Sequence, residues 1–173
     1  GSDCKKTAGI IDMPKEDFLR VLDSVAKRTD PHKVFVVVTG GEPLMQWKFL
    51  LETVKMLGKY HLAIETSGHA EKSVFREVLE KMDLVMMDIK LADPEAHKYY
   101  TGVDNSLILS NLKELQASGK PHIIRTPLIP GITDTEENLR RIECIVGDSK
   151  WERLPYNKMA GAKYGMLGLK YEL

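Results

Sequence analysis

The run Val34-Phe35-Val36-Val37-Val38 is an unbroken apolar stretch, mostly β-branched, with no polar residue between its members. Such a run suits a strand buried on both faces, as in a parallel sheet with helices on each side. Around it the spacing of apolar positions is helical. After Pro14, residues Phe18, Leu19, Leu22, Val25 and Ala26 recur on one helix face until Asp30-Pro31 breaks the pattern. Beyond the Val34 strand, Phe49, Leu50, Val54 and Leu57 predict one face of a second helix that stops at Gly58, and His61-Leu62-Ala63-Ile64 reads as a short strand. The cycle repeats: Val74, Phe75, Val78 and Leu79 mark a helix, and Leu84-Val85-Met86-Met87 the next strand. A helix over Leu107 to Ser118 ends at Gly119 and is followed by a strand at Pro121 to Thr126. Thr133 with Glu136 three residues on reads as a capping box opening a helix through Leu139, Ile142 and Val146. Trp151 to Leu154 is the last predicted strand.

Strands alternating with helices imply parallel βαβ units with right-handed crossovers, in an α/β sheet of about five strands that is either doubly wound or barrel-like. No repeat, low-complexity segment or linker interrupts the pattern, so residues 1–173 read as a single domain.

Composition narrows the function. With 43% hydrophobic and 29% charged residues the 173-residue chain can bury a core. Twenty-five basic residues balance 25 acidic ones, and the isoelectric point is near 7.1. Neither a basic field for nucleic acid nor a polybasic patch for a membrane is present. No apolar stretch approaches the roughly 20 residues of a membrane span, and Gly1-Ser2-Asp3-Cys4-Lys5-Lys6 has no apolar signal core, so the cytoplasm is the expected compartment. Gly1-Ser2 reads as a cloning remnant, which leads to the expectation of a piece of a longer protein. Two cysteines, Cys4 and Cys144, are too few for a disulfide framework or a metal cage built by the protein.

Polar residues cluster where the predicted strands end: Thr39 to Glu42, Glu65 to Gly68, Asp88 with Lys90, Arg125-Thr126, and Tyr156-Asn157. In parallel α/β folds that edge carries the ligand site. Gly40 and Gly41 allow close approach of a ligand to the backbone, Glu42 adds a charge, and Pro43 suits the first position of the following helix. Glu65, Asp88, Lys90 and Arg125 place two acids and two bases around one pocket, which suits an amino-acid-like ligand carrying carboxylate, ammonium or ribose hydroxyls. A plain Asp88-Lys90 ion pair, and a structural carboxylate partner for Arg125, are the competing readings. His32, His61, His69, His97 and His122 lack paired metal-ligand spacing, so surface or core roles are expected for them. No dinucleotide fingerprint, Walker loop or nucleophile elbow occurs.

The segments Val38-Thr39-Gly40-Gly41-Glu42-Pro43-Leu44, Ile64-Glu65-Thr66-Ser67-Gly68, Met86-Met87-Asp88-Ile89-Lys90, Arg125-Thr126-Pro127-Leu128-Ile129-Pro130-Gly131 and Leu154-Pro155-Tyr156 together resemble the radical S-adenosylmethionine activating enzymes of glycyl radical enzymes. Pyruvate formate-lyase activating enzyme is the best-known type. The resemblance runs from about Pro14 to Leu173 and implies a partial (β/α) TIM-like open barrel with its first βα unit missing. It implies S-adenosylmethionine as cofactor, cleaved reductively by a [4Fe-4S] cluster, and hydrogen abstraction from a backbone glycine of a glycyl radical enzyme as partner. The implied electron donor is of flavodoxin or ferredoxin type. By the same resemblance Gly40, Gly41 and Glu42, in the turn completed by Pro43, meet the methionyl ammonium. Asp88, Lys90 and Arg125 hold the ribose and the methionyl carboxylate, Glu65 and Thr66 lie beside the same ligand, and Asn157 belongs to the shelf.

Two departures stand out. The family's CxxxCxxC cluster loop is absent, so the cluster is expected in the parent protein without ligands from this chain, which alone is expected to be inert. Asn157 stands where the family commonly has a histidine, keeping a donor and an acceptor but losing the titratable ring. The rival readings are a radical enzyme acting on a small molecule, of the 7-carboxy-7-deazaguanine synthase kind, and a barrel that binds without catalysing.

Overall fold

The computed structural model describes residues 14–28 and 34–156. Along the chain come helix α1 (Lys15–Ala26), strand β1 (Phe35–Val38), a 3-10 turn (Pro43–Gln46) leading into α2 (Trp47–Met56), β2 (His61–Thr66), α3 (Lys72–Lys81), β3 (Leu84–Asp88), α4 (Pro94–Thr101), α5 (Ser106–Ala117), β4 (His122–Pro127), α6 (Glu136–Val146) and β5 (Trp151–Leu154). Asn157 and Cys4 lie outside the described residues, as does His32.

The five strands are hydrogen-bonded in chain order, and every pairing is parallel. A doubly wound sheet reverses its strand order at a switch point. Among the described residues this sheet has no reversal, so it winds one way, as a sector of a (β/α) barrel does. The register sets Val37 beside Ala63, Glu65 beside Met86 and Asp88 beside Arg125. Partners across a parallel pair share a face, so Glu65, Asp88 and Arg125 project from the same side of the sheet.

The opposite side carries the core. Val36, Leu62, Ile64, Val85, Met87 and Ile124 pack with Leu50 and Val54 of α2, Phe75 and Val78 of α3, Leu112 of α5 and Ile142 of α6. Burying such side chains contributes about 1.5 to 3 kcal/mol each, so the helix-covered face holds the fold together.

The expectation that the Val34–Val38 run is buried on both faces is corrected by the structure. Phe35 is 59% and Val37 45% exposed, while Val36 is buried. Helices cover one side of β1, and among the described residues β1 is an edge of the sheet. Phe35 leans edge-on against the His61 ring, with centroids 4.7 Å apart. Phe49, expected on the buried face of the second helix, is 53% exposed; Leu50, Val54 and Leu57 supply that face.

Two helix starts differ from expectation. α6 begins at Glu136 with Thr135 as its cap, the Thr135 hydroxyl accepting from Asn138 N at 3.3 Å. Thr133 instead closes the loop after β4, where its buried hydroxyl accepts from Ile129 N at 2.6 Å and donates to Pro127 O. The second difference is α4, which apolar spacing does not predict, because Pro-Glu-Ala-His-Lys-Tyr-Tyr-Thr has no apolar stripe. Its ends are nonetheless written in the sequence. Asp93 caps it by accepting from Ala96 N at 2.9 Å, Pro94 takes the first position, and Gly102 at φ 84° stops it.

The turn after β2 depends on Gly68, which sits at φ 75°, and a Cβ there would stand 2.2 Å from Met87 Cε in the core. Left-handed backbone costs a non-glycine residue about 1 to 2 kcal/mol, and displacing a packed methionine adds to it. Gly68→Ala should therefore lose about 2 to 4 kcal/mol in urea denaturation; an unchanged midpoint would mean that the turn relaxes freely.

Candidate functional site

The carboxyl ends of β1 to β4 meet in a cleft of about 340 Å³, while Tyr156, after β5, does not line it. Gly40, Gly41, Glu42, Glu65, Thr66, Asp88, Lys90 and Arg125 all line it. Pro43 does not. It stands behind the wall as the first residue of the 3-10 turn and lines an adjoining apolar groove of about 410 Å³ with Val38, Met45 and Phe49.

Gly40 and Gly41 leave open space: a Cβ on either would meet nothing within 4 Å, and Gly40 is at φ 150°. Glu42 binds the first two turns together. One carboxylate oxygen accepts from Leu44 N at 3.1 Å and Thr66 Oγ1 at 2.6 Å; the other accepts from Ser67 N at 2.8 Å and from the Ser67 hydroxyl. A carboxylate has about four acceptor sites, so this one is filled from within the protein. It caps the 3-10 turn after β1 and anchors the turn after β2.

Along the same face runs a chain of charges. Thr39 Oγ1 donates to Glu65 Oε2 at 2.9 Å, and Arg125 Nη1 donates to Glu65 Oε1 at 2.8 Å. Arg125 Nε and Nη2 reach Asp88 Oδ1 at 3.1 and 3.0 Å. Asp88 Oδ2 then lies 3.5 Å from Lys90 Nζ. Arg125, its side chain 14% exposed, is thus fully engaged by two structural carboxylates. Burial works against its charge, but the Glu65 and Asp88 carboxylates more than offset it and raise its pKa. The guanidinium, with help from the Thr39 hydroxyl, holds Glu65 below the usual carboxylate value. Lys90 is different. Its side chain is 32% exposed and, among the described residues, its ammonium meets one carboxylate at a distance too long for a strong hydrogen bond, which leaves donors for a ligand.

His97 also lines the cleft, 4% exposed, with Nδ1 2.7 Å from Val103 O and 3.0 Å from Thr101 Oγ1. Spacing carries no hint of it because α4 itself has no stripe. Ser67, His69, Thr101 and Val103 complete that wall; of these, the sequence signals Ser67 alone, through the polar cluster after β2.

The donor set fits S-adenosylmethionine. An underpaired ammonium suits a carboxylate, open glycine backbone suits an amino-acid head, and acidic edges suit ribose hydroxyls. The chain's residues do not fit an iron–sulfur cluster. Three clustered thiolates are required, the chain has two cysteines, and Cys144 lies exposed on α6.

Glu65 titrates below 4.5 in the folded chain and near that value when unfolded. Its ion pair therefore stabilises the fold fully above about pH 5 and is lost as pH falls through the folded value. Glu65→Gln should lower the urea midpoint at about pH 7, with the deficit shrinking as pH drops toward about 3. A deficit independent of pH would place the loss in packing, not charge.

Residues 5–142 match the family model described as the radical SAM superfamily. The 4-hydroxyphenylacetate decarboxylase activating enzyme of Clostridium scatologenes is 41% identical over 144 residues, covering 79% of this chain and 46% of that protein. The (2S)-3-sulfopropanediol sulfolyase activating enzyme of Bilophila wadsworthia is 35% identical over 166 residues, covering 88% of this chain and 55% of that one. The chain thus spans about half the length of these curated relatives. Among solved structures, a domain of pyruvate-formate lyase-activating enzyme from Bacteroides vulgatus aligns with a TM-score of 0.61 at 27% identity, over 78% of this chain and 95% of that one. With a one-way parallel sheet, a polar shelf at its carboxyl edge and a family model covering most of its length, the chain belongs to the radical SAM superfamily.

Proposed function

We propose that this chain is the S-adenosylmethionine shelf of an enzyme that activates a glycyl radical enzyme by abstracting hydrogen from one of its backbone glycines. The observation that carries this reading is the pairing of open Gly40-Gly41 backbone with the underpaired Lys90 ammonium in one cleft. The relatives support it, since each is named as the activator of another enzyme.

Under this reading the Lys90 ammonium takes the methionyl carboxylate. The methionyl ammonium goes to carbonyl oxygens at Gly40 and Gly41, because the Glu42 carboxylate is already filled by Thr66, Ser67 and Leu44. Asp88 and Glu65, held apart and oriented by Arg125, offer their free edges to ribose hydroxyls. Thr66 and Pro43 brace the glycine turn, and Asn157, outside the described residues, is assigned to the same ligand by the family resemblance alone. When bound, S-adenosylmethionine supplies the radical that attacks the glycine. The [4Fe-4S] cluster that the activity needs is assigned to cysteines outside this chain, and its electron to a flavodoxin or ferredoxin-type donor.

In the full gene product, Lys90→Ala and Asp88→Ala should each weaken S-adenosylmethionine in calorimetry by about 10- to 150-fold, the worth of a charge-assisted hydrogen bond. The glycyl radical signal on the partner, read by paramagnetic resonance, should fall with it. Wild-type affinity in both variants would return Asp88 and Lys90 to a plain ion pair and remove the basis of the proposal.

A further inference from the structure

After β3 the chain leaves the sheet but stays inside the protein: Ile89, Leu91 and Ala92 are 1%, 4% and 5% exposed. Buried backbone without a ladder partner needs other hydrogen bonds. Here side chains provide them at four successive carbonyls. Ile89 O accepts from Thr126 Oγ1 at 2.8 Å and Lys90 O from Asn138 Nδ2 at 3.0 Å; Leu91 O and Ala92 O both accept from Asn105 Nδ2, at 3.0 and 3.1 Å. Ala92 N donates in turn to Asn138 Oδ1 at 2.9 Å. Asn138 therefore acts as a peptide group would, donating at one end of the segment and accepting at the other. Its second N–H goes to Thr133 O at 2.8 Å, so the loops after β3 and β4 share one anchor.

Both amides are buried, Asn105 at 2% and Asn138 at 7% exposure, and they come from the starts of different helices, α5 and α6. Neither lines the cleft. The first residue of the segment they hold is Lys90, the loosely paired cation of the site. We infer that Asn138 and Asn105 are positioning residues, which fix the backbone of residues 90–92 and thereby set where the Lys90 ammonium stands for an anionic group of the ligand. The inference rests on the proposed role of Lys90. Without the amides the segment would exchange its bonds for water, and binding would have to order the lysine afresh.

The test is a double-mutant cycle in the full gene product, with S-adenosylmethionine affinity read by calorimetry and folding by thermal melting. Asn138→Ser should weaken binding by about three- to ten-fold, the cost of ordering one long side chain. In a Lys90→Ala background the same change should leave affinity where Lys90→Ala put it, while the loss in melting temperature is the same in both backgrounds. Equal weakening in both backgrounds, or none in the wild type, overturns the positioning role and leaves Asn138 a structural anchor. If Lys90→Ala alone does not alter affinity, the proposed role of Lys90 fails, and this inference with it. Asn105→Ser repeats the cycle through Leu91 and Ala92 should Asn138→Ser fail to fold.

Discussion

The carboxyl edge of a parallel sheet is a line of backbone groups with no further strand to pair with, and satisfying them is the constraint on which this structure turns. The chain solves it with side chains. Glu42 takes Leu44 N and Ser67 N, Thr66 Oγ1 accepts from Gly68 N, and Asn111 Nδ2 donates to Gly68 O and Ala70 O. Asn105, Asn138 and Thr126 do the same after β3. Each such bond is worth only about 1 kcal/mol net, but a buried group left without one costs about 1 to 3 kcal/mol. The turns are therefore polar because the fold requires it, and a polar cleft follows before any ligand is considered. The exception shows how tight the arrangement is: Asn111 Oδ1 is buried without a partner among the described residues, a cost accepted to hold both carbonyls of the Gly68 turn.

Within that cleft the charges are ordered by how much freedom each retains. Arg125 binds carboxylates from two neighbouring strands at once, which a planar guanidinium can do and an ammonium does poorly. Its single charge offsets half of what Glu65 and Asp88 bring into a confined space, and it holds the Glu65 carboxyl below the usual carboxylate value. Lys90, at the end of the series, compensates Asp88 only loosely. The gradient runs from a mostly buried, fully engaged arginine to a partly exposed lysine that is only loosely paired among the described residues.

How much of this is legible in the sequence follows from the range of each interaction. All five strands are readable, because a parallel strand declares itself within four to six residues, and Trp151–Leu154 falls where predicted. That the polar ends of β1 to β4 converge is also readable, since parallel strands share one carboxyl edge; the Tyr156 end of β5 does not join them. What fails depends on partners far along the chain. The Val34–Val38 run does not say that helices cover only one of its faces. Thr133 looks like a cap until Pro127 and Ile129 claim its hydroxyl. Register, which sets Arg125 beside Asp88, supplies the structural carboxylate partner that stood as its competing reading. α4 escapes for the opposite reason: its caps are local and visible, but a search for apolar stripes passes over a helix that has none.

The bare face of the sheet gives the cleft its setting. Phe35 and Val37 project from the side on which Glu65, Asp88 and Arg125 lie, and among the described residues they stay largely uncovered. About eight strands are needed to close a barrel whose side chains fill its own interior. The five described strands form an arc, whose inner face carries both the charged series near the carboxyl ends of the strands and these apolar side chains. The helices fix the rim of that arc from behind, through the core they share with Val36, Ile64, Met87 and Ile124.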